Sequence, residues 1–215
     1  MVNQTQQILR SIGIVPVIKM DTPDHAAPLA AALRRGGLPA AEITFRSEAA
    51  VDSIRAIAKK EPEMFLCAGT ILTPKQAQQA VEAGARAIIS PGTNLDTVRW
   101  CVQNNIPVIP GCASPTEVEV CLREGLSTVK LFPAEVLGGV AMLKAMAGPY
   151  AEVNFMPTGG IGLVNAGDYL ALPNVLCCGG SWMVPGNLLA AGRFDEIETL
   201  VREAAALRDR VRPQA

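Results

Sequence analysis

The chain has 215 residues, 49% hydrophobic, 18% charged and 4% aromatic, with 19 Lys+Arg against 20 Asp+Glu for a formal net charge of −1. Half the residues can contribute to a core, which excludes disorder as the dominant state, and the balanced charge supplies no basic field for nucleic acid or an anionic membrane surface. His25 is the only histidine, which argues against zinc catalysis, and the six cysteines (67, 101, 112, 121, 177 and 178) sit mostly in apolar runs, as free thiols of a reducing, cytoplasmic compartment would.

Residues 1–10 are polar and lack the apolar core of a signal peptide, so they are expected to be a lead-in to the fold. No apolar run reaches the roughly 18 residues of a membrane-spanning helix. From residue 14 onward two periods alternate. Short apolar, β-branched runs at 14–19, 41–45, 64–68, 87–90, 107–110, 128–132, 153–157 and 175–178 predict eight strands. Between them, 24–35, 48–60, 74–83, 95–104, 115–124 and 140–147 carry helical spacing, and 195–210 predicts a final helix that closes the fold. Thr22-Pro23, Thr73-Pro74 and Ser114-Pro115 are helix starts, and Gly36-Gly37, Gly84 and Gly125 are helix stops. Near-continuous apolar strands imply burial on both faces, hence a parallel sheet. A doubly wound open sheet of the dinucleotide-binding kind needs a Gly-rich fingerprint after the first strand, and residues 14–21 have none. The predicted fold is α/β, a single-domain (β/α)8 TIM barrel over residues 1–215.

Such barrels work at the C-terminal ends of their strands. Those ends hold Lys19, Glu42, Arg46, Thr70, Ser90, Lys130, Thr158 and Ser181. Lys130 lies mid-strand in Thr128-Val129-Lys130-Leu131-Phe132-Pro133, where alternation puts Thr128, Lys130 and Phe132 on one face. If Val129 and Leu131 face the helices, the lysine enters the lumen, where desolvation favours a neutral amine able to attack a carbonyl. Glu42, in Ala41-Glu42-Ile43-Thr44-Phe45-Arg46, would then shuttle protons beside it, or form a structural ion pair with Arg46 or Lys130. Thr70 either donates to a substrate carboxylate or caps the following turn. Thr158-Gly159-Gly160 ends the seventh strand and Gly179-Gly180-Ser181 the eighth, where barrels commonly grip phosphate with backbone N–H groups, so a phosphorylated ligand is predicted. His25 reads as a solvated or capping residue and Cys112 as a small buried hydrophobe; Cys177 and Cys178 face opposite sides of one strand and cannot clamp one metal together.

Taken in order, Gly13-Ile14-Val15-Pro16-Val17-Ile18, Glu42-Ile43-Thr44-Phe45-Arg46, Ala68-Gly69-Thr70, Ser90-Pro91-Gly92, Lys130-Leu131-Phe132-Pro133-Ala134-Glu135, Pro157-Thr158-Gly159-Gly160-Ile161 and Gly179-Gly180-Ser181-Trp182 resemble the 2-keto-3-deoxy-6-phosphogluconate (KDPG) and 4-hydroxy-2-oxoglutarate (KHG) aldolases over nearly the whole chain. The resemblance implies a homotrimeric class I aldolase that needs no metal or cofactor. In it Lys130 forms a Schiff base with the keto acid, Glu42 is the general acid/base, Arg46 and Thr70 hold the pyruvate carboxylate, Phe132 packs on the substrate, and Gly159, Gly160 and Ser181 bind phosphate. It further implies cleavage of 2-dehydro-3-deoxy-6-phosphogluconate to pyruvate and glyceraldehyde 3-phosphate, and of 4-hydroxy-2-oxoglutarate to pyruvate and glyoxylate. Related enzymes prefer the galactonate epimer, which stays open as an alternative. So does a metal-independent phosphosugar isomerase or epimerase on the same barrel, with Glu42 as base; a catalytically silent phosphosugar sensor is disfavoured, since the chain has no basic stretch for an effector segment. Cys67, where relatives often have glycine, and Leu131, where many have phenylalanine, are expected to change packing and not chemistry.

Overall fold

Small and β-branched residues that are apolar on both faces build parallel strands in a computed structural model describing residues 2–213. In chain order the elements are α1 (Val2–Ile12), β1 (Ile14–Ile18), a 3₁₀ turn (Pro23–His25), α2 (Ala26–Arg35), β2 (Ala40–Thr44), α3 (Ala50–Lys60), β3 (Phe65–Gly69), α4 (Pro74–Ala83), β4 (Ala87–Ile89) and α5 (Leu95–Gln103). They continue with β5 (Val108–Ile109), β6 (Gly111–Cys112), α6 (Pro115–Arg123), β7 (Thr128–Leu131), a second 3₁₀ turn (Glu135–Leu137), α7 (Gly139–Ala147), β8 (Asn154–Phe155), α8 (Ala166–Leu170), β9 (Cys178–Gly180), α9 (Gly186–Ala190) and α10 (Phe194–Val211). Six strands pair in the order β5-β4-β3-β2-β1-β9 and three in the order β6-β7-β8, all parallel. Parallel bridges Phe155↔Val175 and Thr158↔Gly179 lie between the two sheets.

Local signals account for several boundaries. The hydroxyls of Thr73 and Ser114 accept from the N–H groups of Gln76 and Glu117, opening α4 and α6 with proline in the first turn, and Gly84 ends α4 at φ +113°. The predicted fifth strand is interrupted at Pro110, which has no N–H to give the ladder, so it forms β5 and β6 on either side. The eighth lies later than 175–178: Val175 makes only an isolated bridge, and the strand is Cys178–Gly180, running through the two glycines that the sequence placed beyond it as an anion-gripping end. Three short or polar helices, α1, α8 and α9, went unpredicted.

Alternation along the strands divides the core. Ala41, Ile43, Leu66, Ala68, Val129 and Leu131 pack outward against the helices. Ala40, Phe65, Cys67, Ile89, Met156 and Cys177 form a second, inner cluster, together with Leu9 and Ile12 of α1. α1 lies by the N-terminal ends of the strands, where Gln6 Nε2 donates to Thr128 Oγ1 at 2.8 Å and Ser127 Oγ at 3.2 Å. The inner cluster is thus apolar towards one end and carries its ionisable pair towards the other.

α10 packs on α2, α8, α9 and β1. Just past its end, the Arg212 guanidinium donates to the carbonyls of Leu170, Leu176 and Val175 at 2.7, 2.8 and 2.7 Å, tying α10 to the segment that precedes β9. Arg212→Ala removes three charge-assisted bonds from acceptors on buried residues and is expected to lower stability by about 2–4 kcal/mol. Urea unfolding checks this through a lower midpoint at unchanged slope.

Candidate active site

Lys130 reaches the inner cluster because Val129 and Leu131 on either side are claimed by the helices. It is 5% exposed, and Glu42 on β2 is 1% exposed. Lys130 Nζ donates to Glu42 Oε1 at 3.2 Å. Of the two ion pairs the sequence allowed for Glu42, this is the one that forms; Arg46 makes no ion pair among the described residues and instead donates from Nε to Thr44 Oγ1 at 3.2 Å. Thr44 Oγ1 in turn donates to the Ile18 carbonyl at 3.1 Å, so Arg46 stands at the exposed end of β2, two residues beyond a buried hydroxyl.

Room for the carboxylate comes from the next strand. A Cβ on Gly69 would sit 2.2 Å from Glu42 Oε1 and 2.6 Å from its Cγ, so β3 has to end in glycine here. Thr70 follows at φ +57°, a conformation few residues with a Cβ adopt and one that concentrates at functional sites. Glu42 Oε2 has no hydrogen-bond partner among the described residues, which leaves one lone-pair-bearing oxygen of a buried carboxylate free for a reacting proton. Desolvating an ammonium and a carboxylate together costs several kcal/mol per ion, so the pair is poor evidence of a stabilising role.

Phe132 brings its ring centroid to 5.3 Å from Lys130 Nζ, a cation–π contact on the face that alternation assigned to both. Gly159 and Gly160 take φ +105° and +76°, which excludes ordinary side chains from this turn. Ser181 is exposed just past β9. Beneath these turns Gly179 approaches Thr158 so closely that a Cβ would lie 2.4 Å from Thr158 Oγ1, and a Cβ on Gly180 would lie 2.0 Å from the Trp182 ring. Close backbone approach, and not a turn, explains this second glycine pair.

The remaining strand-end residues separate. Lys19 is turned onto Asp21 at the surface, and Ser90 Oγ donates to the Gly92 carbonyl at 2.8 Å, shaping its own loop. Cys112 faces outward, its Sγ 3.6 Å from that of Cys121, in the outer core. Thr158, noted in the sequence only as a strand-end polar residue, is buried with Oγ1 unpartnered among the described residues, on the inner side with Lys130. Cys67 is the register partner of Glu42, and burial first, then the Glu42 charge, pushes its thiol well above the usual range. It is a protonated, inert packing group. Among the described residues no cluster of three or more His, Cys, Asp or Glu could hold a metal ion, and no helix is long and apolar enough to cross a membrane.

The sequence pattern described as "Aldolase: KDPG and KHG aldolase" matches residues 5–200. The chain belongs to the KDPG and KHG aldolase family. It is therefore an aldolase, a carbon–carbon lyase. This aldolase is 50% identical over 202 residues to the 2-dehydro-3-deoxy-phosphogluconate aldolase of Haemophilus influenzae, covering 93% of this chain and 95% of that one. Among solved structures it is similar to the KDPG aldolase of Legionella pneumophila, in which pyruvate was captured at low pH as a covalent carbinolamine intermediate (TM-score 0.89, 38% identity, 92% of this chain and 96% of that one). It is equally similar in fold to the KDPG aldolase of Zymomonas mobilis ZM4 with 3-phosphoglycerate (TM-score 0.89, 36% identity, 96% and 97% covered). The motif order from Gly13 to Trp182 had pointed to the same family.

Proposed function

We propose that the chain is a class I aldolase whose nucleophile is Lys130, cleaving 2-dehydro-3-deoxy-6-phosphogluconate to pyruvate and glyceraldehyde 3-phosphate and, more slowly, 4-hydroxy-2-oxoglutarate to pyruvate and glyoxylate. The observation that carries this is the buried Lys130–Glu42 pair at 3.2 Å, close to the Phe132 ring and on the side of the sheet that bears Thr158. The carboxylate takes the proton the ammonium must lose before its nitrogen adds to the C2 carbonyl. The carbinolamine then expels water to give an iminium. Removing the proton of the C4 hydroxyl releases the aldehyde as the C3–C4 electron pair flows into the iminium, leaving a neutral enamine where an uncatalysed reaction would need a carbanion. Protonation at C3 and hydrolysis return pyruvate and free Lys130. Glu42, with Oε2 uncommitted, is the group placed to move these protons.

Arg46 and Thr70 would hold the keto-acid carboxylate, with the guanidinium presented at the end of β2. Phe132 would cover the reacting carbons. Backbone N–H groups at Gly159 and Gly160, with Ser181, would take the phosphate. The bridges Phe155↔Val175 and Thr158↔Gly179, and the single residue between β5 and β6, support reading the two sheets as one closed eight-stranded barrel, a single domain over 1–215. Membership of the family supports a homotrimer, and the six buried free cysteines suit a reducing cytoplasm.

A substrate panel tests the assignment. The phosphorylated gluconate derivative is expected to exceed 4-hydroxy-2-oxoglutarate in kcat/KM by about 10²-fold, since two or more charge-assisted hydrogen bonds are at stake. Equal values would remove the phosphate from the proposal, and preference for the galactonate epimer would reassign the substrate.

A further inference from the structure

Glycines give a turn no side chains with which to hold its own shape, so the shape of Thr158–Gly162 has to be imposed by its neighbours. Ala134 N–H donates to the Thr158 carbonyl at 2.8 Å and Glu135 N–H to the Gly159 carbonyl at 3.1 Å. From the other side Asn165 Nδ2 donates to the Gly160 carbonyl at 3.1 Å, while its Oδ1 accepts from Gly162 N–H at 2.8 Å. One side chain completes the frame. A Cβ on Gly160 would lie 2.6 Å from Glu135 Cγ and 2.7 Å from its Cβ, so the Glu135 methylenes occupy the space over that glycine.

A carboxylate against an anion-binding turn calls for a physical reason, because its charge opposes a phosphate. The structure supplies one. Tyr169 on α8, 1% exposed, donates its O–H to Glu135 Oε1. That oxygen lies on the far side, where a Cβ on Gly139 would be 2.8 Å from it and 2.6 Å from the Tyr169 hydroxyl. The atoms of Glu135 nearest Gly160 are its Cγ, Cβ and Cα, with the carboxylate oxygens beyond them. Hydrocarbon therefore meets the turn, and the charge is spent on tyrosine.

We propose that Glu135, oriented by Tyr169, is a positioning residue for phosphate recognition: its methylenes brace Gly160 while the Tyr169 hydroxyl draws its charge off the turn. This rests on assigning the Gly159–Gly160 turn to the phosphate of the substrate. Neither residue touches the reacting carbons, so the effect belongs to recognition of the phosphorylated end and not to the imine chemistry at Lys130.

Tyr169→Phe keeps the buried ring and deletes the donor. With 2-dehydro-3-deoxy-6-phosphogluconate it is expected to raise KM about tenfold with kcat within about twofold, the scale of one lost hydrogen bond and a freed like charge. With 4-hydroxy-2-oxoglutarate, kcat/KM stays within about twofold, and borohydride trapping of pyruvate at Lys130 is unchanged. Glu135→Ala shows the same selective loss. Glu135→Gln, which retains the methylenes and an oxygen to accept from Tyr169, keeps the wild-type preference for the phosphorylated substrate. Wild-type discrimination that survives both Tyr169→Phe and Glu135→Ala overturns this inference alone, as does an equal loss on both substrates, the mark of a merely structural role. A wild-type enzyme indifferent to the phosphate overturns the assignment of the turn and this inference with it.

Discussion

Lys130→Met loses cleavage by a factor on the order of 10⁴ or more, because the covalent route has no substitute once the amine is gone. Borohydride reduction with pyruvate adds the reduced adduct to Lys130 in the wild type, seen in the peptide mass, and to nothing in the variant. Methionine keeps the length and apolar volume of the stem, so strand β7 retains its packing. The cost falls on the partner. Glu42 is 1% exposed and loses the one cation it pairs with among the described residues, and breaking a buried pair by removing one member costs about 3–5 kcal/mol where the remaining group stays charged. Thermal unfolding should accompany the assay, so that lost chemistry is separated from lost protein. Cleavage that persists in Lys130→Met and disappears with EDTA would identify a metal aldolase and refute the imine mechanism.

Glu42→Gln separates the second role from the first. The amide is nearly isosteric, can still accept from Lys130 through its oxygen, and fits the space that Gly69 leaves. It cannot take up a proton. Cleavage is expected to fall 10²- to 10⁴-fold in kcat, the range for loss of a positioned acid/base. The pyruvate adduct remains trappable, more slowly, since carbinolamine formation needs the same proton transfers. A kcat within about tenfold of wild type would leave Glu42 as a structural counter-ion and move the acid/base elsewhere on the inner face, with the buried, unpartnered Thr158 hydroxyl as the group to examine.

Much of this site was legible before the fold was known, and the reasons differ residue by residue. The inward turn of Lys130 follows from Val129 and Leu131 alone, because a strand has only two faces and the helices take the apolar one. α4 occupies residues 74–83 as predicted, because Thr73-Pro74 and Gly84 are caps that act through their own backbone neighbours. β9 was misplaced for the opposite reason. Gly179 and Gly180 look like turn residues locally, yet Gly179 is glycine because Thr158 on a neighbouring segment crowds it, and Gly180 because the Trp182 ring two residues on folds back over it. α1 was missed because its mostly polar stretch becomes a helix against the inner core through only a few side chains, Leu9 and Ile12 among them. Helices this short draw their stability from docking, not from propensity.

From its residues alone this chain specified alternating strands and helices, an amine inside an apolar strand, a carboxylate with two candidate partners in Arg46 and Lys130, and glycine turns where an anion could rest. Those are properties of near neighbours: alternation, capping and the cost of burying charge. Only the assembled structure decided that Glu42 pairs with Lys130 and not with Arg46, that one glycine pair frames a turn while the other serves close packing, and that Glu135 points its charge at Tyr169. Each of these depends on groups between 34 and 88 positions apart in the chain or on strands brought side by side, and contact at that separation is set by how the sheet curls.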